Sequence, residues 1–266
     1  MTKIAIITGG SRGLGKSMAL NLAEQGRDII LTYHSKDQEA LAVVNEITAK
    51  GRKATALQLD IQRTDTFDTF TTKIKDTLGS VFGRSDFDYL INNAGTGVYA
   101  SLMETSEAQF MQMMNEHIKA PFFLSQKLLP LMRDGGRVLN ISSGLTRITY
   151  PGFAAYAIMK TAVEALTLYM ARELGPRGIR VNTLAPGAIE TDFGGGVVRD
   201  TPALNEEFSA MTALGRVGLP QDIGGAVAAL LDNNASWVNA QRIEVSGGQT
   251  IGVTATKSGL KGGFLY

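Results

Sequence analysis

The chain has 266 residues, 44% hydrophobic and 19% charged, with no cysteine and a formal net charge of +1. Lack of cysteine excludes disulfides, thiolate nucleophiles and Cys-ligated zinc, and a near-neutral balance without Lys/Arg clusters speaks against nucleic acid or an anionic membrane as partner. No apolar run approaches the ~20 residues of a spanning helix. The run from Ile4 stops at Thr8, too short for a signal-peptide core, so a cytoplasmic protein is expected.

Strand and helix patterns alternate from the start. Ile4-Ala5-Ile6-Ile7 reads as a strand buried on both faces, followed by a helix through Met18 and Leu22 that Gly26 closes. A second strand covers 28–32, and a helix with Leu41, Val44 and Ile47 inward runs to Gly51. The third strand, 54–59, ends at Asp60 and precedes a helix over 67–78. Residues 79–86 read as a surface loop before a fourth strand at Tyr89-Leu90-Ile91. Ser106 and Gln109 have capping-box spacing and open a long helix toward Leu131, which Pro121 is expected to bend. A strand over 137–141, a helix over 153–174 and strands from Ile179 and Arg242 complete the pattern. Segment 193–212, with three consecutive glycines, reads as a mobile substrate flap, and 254–266 as a polar, glycine-rich tail. This βαβα order implies an α/β, single-domain Rossmann fold spanning 1–266: a doubly wound parallel sheet of about seven strands with helices on both faces.

The first strand runs into Thr8-Gly9-Gly10-Ser11-Arg12-Gly13-Leu14-Gly15. Glycines at 9, 13 and 15 allow a sharp turn and close approach to a pyrophosphate, which the following helix meets with free N–H groups and its positive end. An NAD site places a carboxylate at the end of the second strand. Here Thr32-Tyr33-His34-Ser35-Lys36 stands there, and Arg12 sits inside the turn. Donors without a carboxylate suit a 2′-phosphate, so NADP(H) is the expected cofactor.

Tyr156 and Lys160 lie four apart, on one helix face. An ammonium beside a phenol favours phenolate, which makes Tyr156 a candidate general acid and base. Ser143 follows the fifth strand in Asn140-Ile141-Ser142-Ser143-Gly144, where ligands bind in parallel sheets, and its hydroxyl could hold a substrate carbonyl. The two histidines, His34 and His117, make no metal site with the acidic residues, so no metal is expected.

The glycine turn, Asn92-Asn93-Ala94-Gly95, Ser143, Tyr156-x-x-x-Lys160 and Pro186-Gly187 resemble, in order and spacing, the short-chain dehydrogenase/reductase family over residues 3–250. The resemblance is greatest to NADP-dependent members such as 3-oxoacyl-carrier-protein reductases. It implies hydride transfer between NADP(H) and a carbonyl or alcohol substrate. Tyr156 would move the proton, Lys160 would bind the nicotinamide ribose and lower the Tyr156 pKa, and Ser143 rather than Ser142 would hold the carbonyl. Asp60 and Ile61 would meet the adenine, and Asn93, Ala94 and Gly95 the adenosine ribose. Pro186, Gly187, Ile189 and Thr191 would meet the nicotinamide. His117 stands where the family has an Asn whose carbonyl holds a water beside the lysine, and it could add a titrating group to the proton path. Val98, Leu145, Arg147, Phe153 and the flap would meet a mostly nonpolar substrate, with a sugar, steroid or quinone as alternatives. The family also implies a homo-oligomer, tetramer or dimer, through the helices at 106–132 and 153–174. A non-catalytic NADP(H) sensor on the same fold is the competing reading.

Overall fold

In the computed structural model, which describes residues 1–249, the chain alternates between strand and helix up to β4. It runs β1 (Ile4–Ile7), α1 (Gly13–Glu24), β2 (Asp28–Tyr33), α2 (Asp37–Ala49), β3 (Ala54–Gln58), α3 (Phe67–Thr77) and β4 (Phe87–Asn92). Then come α4 (Glu107–Met114), α5 (Ala120–Leu128), β5 (Met132–Ile141), α6 (Ala154–Leu174) and β6 (Arg180–Pro186). Helices α7 (Val197–Asp200), α8 (Pro202–Ala210) and α9 (Pro220–Leu230) precede β7 (Arg242–Val245). The tail expected at 254–266 lies outside the described residues.

The strands form one parallel seven-stranded sheet in the order β3-β2-β1-β4-β5-β6-β7. The chain winds outward from β1 in one direction and restarts beside it with β4. The carboxyl ends of β1 and β4 therefore diverge and leave a crevice, the place where such sheets bind ligands. The pleat sorts β1 between two cores: Ile4 and Ile6 pack with α3, α5 and α6, while Ala5 and Ile7 pack with α1, α2 and α9. A strand wetted on neither face has no use for polar residues, which is why β1 reads as a continuous apolar run.

Three local expectations are corrected. Residues 79–86 are not a plain surface loop: α3 continues into a π turn at Leu78–Phe82 with both end residues buried, and β4 begins at Phe87. Burial of Phe82 and Phe87 outweighs the loop signal of the glycines and serines. The long helix does open with the Ser106 capping box, Ser106 Oγ accepting from Gln109 N at 3.2 Å. Its irregularity, however, is a π segment at Asn115–Lys119, and Pro121 sits in the first turn of α5, where a missing N–H costs little. Segment 193–212 is largely helical, comprising a 3-10 turn at Phe193–Gly196 followed by α7 and α8.

Candidate functional site

Gly9 and Gly13 have φ of 67° and 53°, a region that side chains strain to enter. A Cβ on Gly15 would run into the Gly9 carbonyl oxygen. The turn is bound to its neighbours on both sides. Gly10 N donates to Thr32 O at 2.8 Å and Gly9 N to Thr32 Oγ1 at 3.1 Å. Asn93 Nδ2 donates to Thr8 O at 2.9 Å and Gly9 O at 3.2 Å, while Asn93 N and Ala94 N donate to Thr8 Oγ1. Helix α1 starts at Gly13 with no side-chain cap and no acidic residue in its first turn. Its amide groups and positive end are left for an anion, so the cradle fits a pyrophosphate. Ser11 is half-buried in the turn, and Leu14 packs back against the core.

At the far end of the crevice, His34 Nε2 stands 3.7 Å from Asp60 Oδ2, and Ser35 follows it on the surface. Arg12 is exposed and reaches Asp192 at 3.7 Å, tying the turn to the start of the flap. The acid here comes from the end of β3, not β2, and its Oδ1 already accepts from Gln62 N at 2.9 Å. On the other flank, Gly187 N donates to Val245 O, and Ala188 N to Gln249 Oε1 at 2.8 Å. Ile189 bridges to Gly218, and the Thr191 side chain lies against Gly13. Of the four residues from Pro186 to Thr191 that the sequence singled out, Thr191 thus meets the glycine turn directly.

Tyr156 and Lys160 share the buried face of α6. Ser143, just after β5, stands near enough to Tyr156 for its hydroxyl to favour the phenolate, and its Oγ accepts from Leu145 N at 3.2 Å. Ser142 points elsewhere, donating to Glu164 Oε1 at 2.6 Å. Burial raises the Tyr156 pKa, the Ser143 hydroxyl opposing it only in part. Lys160 Nζ donates to Ile141 O at 2.7 Å and lies 5.5 Å from the Tyr156 ring centroid. Burial also lowers the pKa of Lys160 itself, to about 7, with Glu116 pulling the other way.

His117 sits in the π segment, with its ring edge-on to Tyr156 at 5.0 Å between centroids. Its Nε2 lies 2.7 Å from Thr96 O. A carbonyl only accepts, so that nitrogen must carry the hydrogen. Nδ1 is then a buried acceptor without a protein partner. Burial, followed by the charge of Lys160, holds the His117 pKa well below its ordinary value. A cavity of about 20 Å³, room for one water, lies among Thr8, Asn92, Glu116, His117, Ile141 and Lys160. Ile61 and Ala94 also line it.

Aromatic rings flank this group. Phe193, from the flap, packs on Tyr156 at 5.5 Å. Tyr99 meets Phe153 at 5.4 Å, Phe153 meets Tyr150 at 6.2 Å, and Tyr150 meets Phe208 at 5.6 Å. Val98, Leu145 and Phe153 pack with Tyr156, whereas Arg147 is exposed, 3.9 Å from Glu244.

Sequence reasoning missed the support behind Ser143. Arg242 on β7 donates from Nη2 to Ser143 O at 3.1 Å and from Nε to Glu164 Oε1 at 2.7 Å, and it pairs with Glu244. Glu164 is the next residue of the Tyr156–Lys160 spacing, which was the one available signal; nothing local marked Arg242 or Gln249.

An anion cradle at a sheet's switch point beside a Ser–Tyr–Lys group defines a dinucleotide-dependent oxidoreductase class. A family profile described as Enoyl-(Acyl carrier protein) reductase matches residues 9–250, and the chain belongs to this short-chain dehydrogenase/reductase family, similar to 3-oxoacyl-carrier-protein reductases. It is 36% identical over 250 residues to the 3-oxoacyl-[acyl-carrier-protein] reductase FabG of Staphylococcus aureus, covering 93% of this chain and 98% of that one. It is 34% identical over 257 residues to the hydroxynaphthalene reductase-like protein Arp2 of Metarhizium brunneum, covering 92% and 94%. The crystal structure of the angucycline C-6 ketoreductase LanV with bound NADP superposes with a TM-score of 0.89 at 34% identity, over 94% of this chain and 96% of that one.

Proposed function

We propose that the protein is an NADPH-dependent ketone reductase in which Tyr156 is the general acid for reduction and the general base for oxidation. The observation that carries this reading is the meeting of Ser143, Tyr156 and Lys160 at the carboxyl end of β5, facing the glycine cradle across one crevice. NADP(H) is the cofactor: LanV holds NADP, and this chain has no carboxylate at the end of β2 and carries Arg12 in the glycine turn. The bound cofactor supplies hydride to the substrate carbonyl carbon.

The Ser143 hydroxyl donates to the carbonyl oxygen and fixes it beside Tyr156. Burial keeps Tyr156 protonated until charge develops on that oxygen, which then takes the phenolic proton. Lys160 holds the nicotinamide ribose and balances the phenolate left behind. His117, restricted to the Nε2–H form, offers Nδ1 as an acceptor beside the water-sized cavity and so extends the proton path. Asp60 and Ile61 hold the adenine, Asn93 to Gly95 the adenosine ribose, and Pro186, Gly187, Ile189 and Thr191 the nicotinamide. His34, Ser35 and Arg12 face the 2′-phosphate, and Ser11, Gly13 and Leu14 the pyrophosphate.

The substrate class is an aromatic ketone. Rings from two loops and the 193–212 segment flank Tyr156, and such rings gain most from a flat partner. The relatives named for hydroxynaphthalene and angucycline reduction accord with this. Exposed Phe122 and Phe123 on α5 and Leu168 and Tyr169 on α6 support pairing of copies into a dimer or tetramer.

The test is NADPH oxidation with 1-tetralone and with acetoacetyl-CoA, the Tyr156→Phe variant run beside the wild type. Turnover of tetralone that falls about 10²–10⁴-fold in the variant is expected. Turnover of acetoacetyl-CoA alone would replace the aromatic substrate with an acyl thioester, and turnover untouched by the substitution would overturn the role of Tyr156.

A further inference from the structure

Glu116 is only 3% exposed, and its carboxylate accepts four hydrogen bonds. Oε2 receives Thr96 N at 2.7 Å and Thr96 Oγ1 at 2.8 Å. Oε1 receives Gln62 Nε2 and Gln112 Nε2, both at 3.0 Å. The donors come from the loop after β4, the loop after β3 and helix α4. An ionised carboxylate is costly to bury unless its lone pairs are met, and here they are met entirely by neutral donors. Its charge is therefore not cancelled at contact. It lines the same small cavity as Lys160, the nearest buried cation to oppose it.

The arrangement requires an acceptor on both oxygens. An amide would turn its NH2 toward either Thr96 or the two glutamines, so that Thr96 N loses its acceptor or both glutamines must flip. What Glu116 grips also matters. Thr96 is held on its N and Oγ1 by Glu116 and on its carbonyl by His117 Nε2. That turn follows directly from Asn93 to Gly95, while Gln62 follows from Asp60 and Ile61, so one side chain ties together two walls of the cofactor crevice. Both gripping residues lie in the π segment, which brings consecutive side chains to bear on one turn.

We propose that Glu116 is a positioning residue for the reaction: its carboxylate clamps the loops after β3 and β4 around the cofactor crevice and supplies the negative charge that the buried Lys160 ammonium faces. The other titratable groups here are His117 on the same segment and Tyr156 on α6; Asp60, on the β3 loop, turns to His34 and Gln62 N. Helix α5 contributes Ala120, Pro121 and Leu124, which are apolar. Removing the carboxylate charge therefore leaves Lys160 to lose its proton more readily; Glu164, one turn on along α6, is already taken up by Ser142, Thr146 and Arg242.

The test is NADPH affinity, read from the cofactor's own fluorescence, for wild type, Glu116→Gln and Glu116→Asp between about pH 6.5 and 9. Wild-type affinity should weaken as Lys160 loses its proton. In Glu116→Gln this limb should move to lower pH by at least about half a unit, and affinity below the limb should fall about tenfold. Glu116→Asp keeps the charge but not the reach, so it should weaken affinity and leave the limb in place. A limb that stays put in Glu116→Gln, at whatever affinity, overturns the proposal, as does a flat wild-type curve. Should Glu116→Gln not fold, Thr96→Val removes one donor and spares the charge; it should weaken affinity several-fold without moving the limb, and unchanged affinity would sink the clamp. The inference rests on the reductase reading for the role of Lys160. None of these readouts needs turnover, so failure of that reading would be seen separately, as absence of ketone reduction.

Discussion

On its β1–β2 side the crevice is held by neutral bonds that each engage a backbone group, and on its β5–β7 side by charged side chains. Around the glycine turn, the contacts that fix the geometry run from Gly9 and Gly10 amides to Thr32 and from Asn93 to Thr8 and Gly9 carbonyls. Around Ser143, they run through Glu164, Arg242, Thr146 and Ser142, a part-buried ionic web joining α6, β7 and the turn after β5. The first side tolerates no Cβ where the chain doubles back. The second loses paired charges that are only partly screened by water. One side thus selects residues by what they lack and the other by what they carry.

The largest break should come from Gly15→Ala. Its Cβ meets the Gly9 carbonyl and Asn93 Nδ2, so the turn must open and lose both its bonds to β4 and its approach to a pyrophosphate. NADPH affinity should fall by about 100-fold or more, and isothermal titration would show it. Retained affinity would mean that the turn is less tightly built than its contacts indicate.

Arg242→Met should break the other side in a different way. It strips Ser143 O of a donor and leaves the part-buried Glu164 and Glu244 with fewer partners, at a cost below the about 3–5 kcal/mol of a fully buried ion pair broken by removing one member. We expect kcat to drop about tenfold with NADPH affinity little changed, because the web touches the carbonyl-holding serine and not the cradle. If NADPH affinity fell instead and kcat held, the division between the two sides would be wrong.

That division also explains what could be read without coordinates. The glycine turn and the Tyr156–Lys160 pair are local patterns, set by three to seven residues of spacing, and strand-to-helix alternation follows from burial on both faces. Glu116 and Arg242 act on partners 20 and 99 residues away, and no periodicity reports such pairings. The π segments failed to show for a related reason: a single inserted residue in a helix leaves the apolar pattern almost intact. Residues 79–86 misled because glycine and serine outnumber the one phenylalanine whose burial decides the local structure.

Arg12→Leu sharpens the comparison at its edge. Arg12 is a side chain on the backbone-built side, and it is exposed and paired only loosely with Asp192. Its loss should raise the KM for NADPH about tenfold and leave that for NADH nearly unchanged, since a single charge-assisted contact to phosphate is at stake. Equal effects on both cofactors would move Arg12 from phosphate recognition to flap anchoring through Asp192.

The smallest effect is a slope of stability with pH, and it belongs to the buried lysine between the two sides. Lys160 has a folded pKa of about 7, below the 10.5 of an exposed lysine. Below pH 7 both folded and unfolded chains hold the proton, and the full cost of burying the ammonium is present. Above it the folded chain gives the proton up while the unfolded chain keeps it, so the unfolded state binds more protons and stability rises with pH. Tyr156 acts oppositely, but only above its ordinary pKa of about 10. Between about pH 7 and 9.5 the slope is at most about 1.4 kcal/mol per unit, a rise in Tm of roughly 2–4 °C per kcal/mol for a protein of this size. Scanning calorimetry of wild type and Lys160→Met over that range isolates the contribution, because methionine fills the site without a proton to lose. A wild-type slope no steeper than that of Lys160→Met would show that the ammonium is solvated or fully paired, and the crevice would then have no uncompensated charge waiting for a ribose.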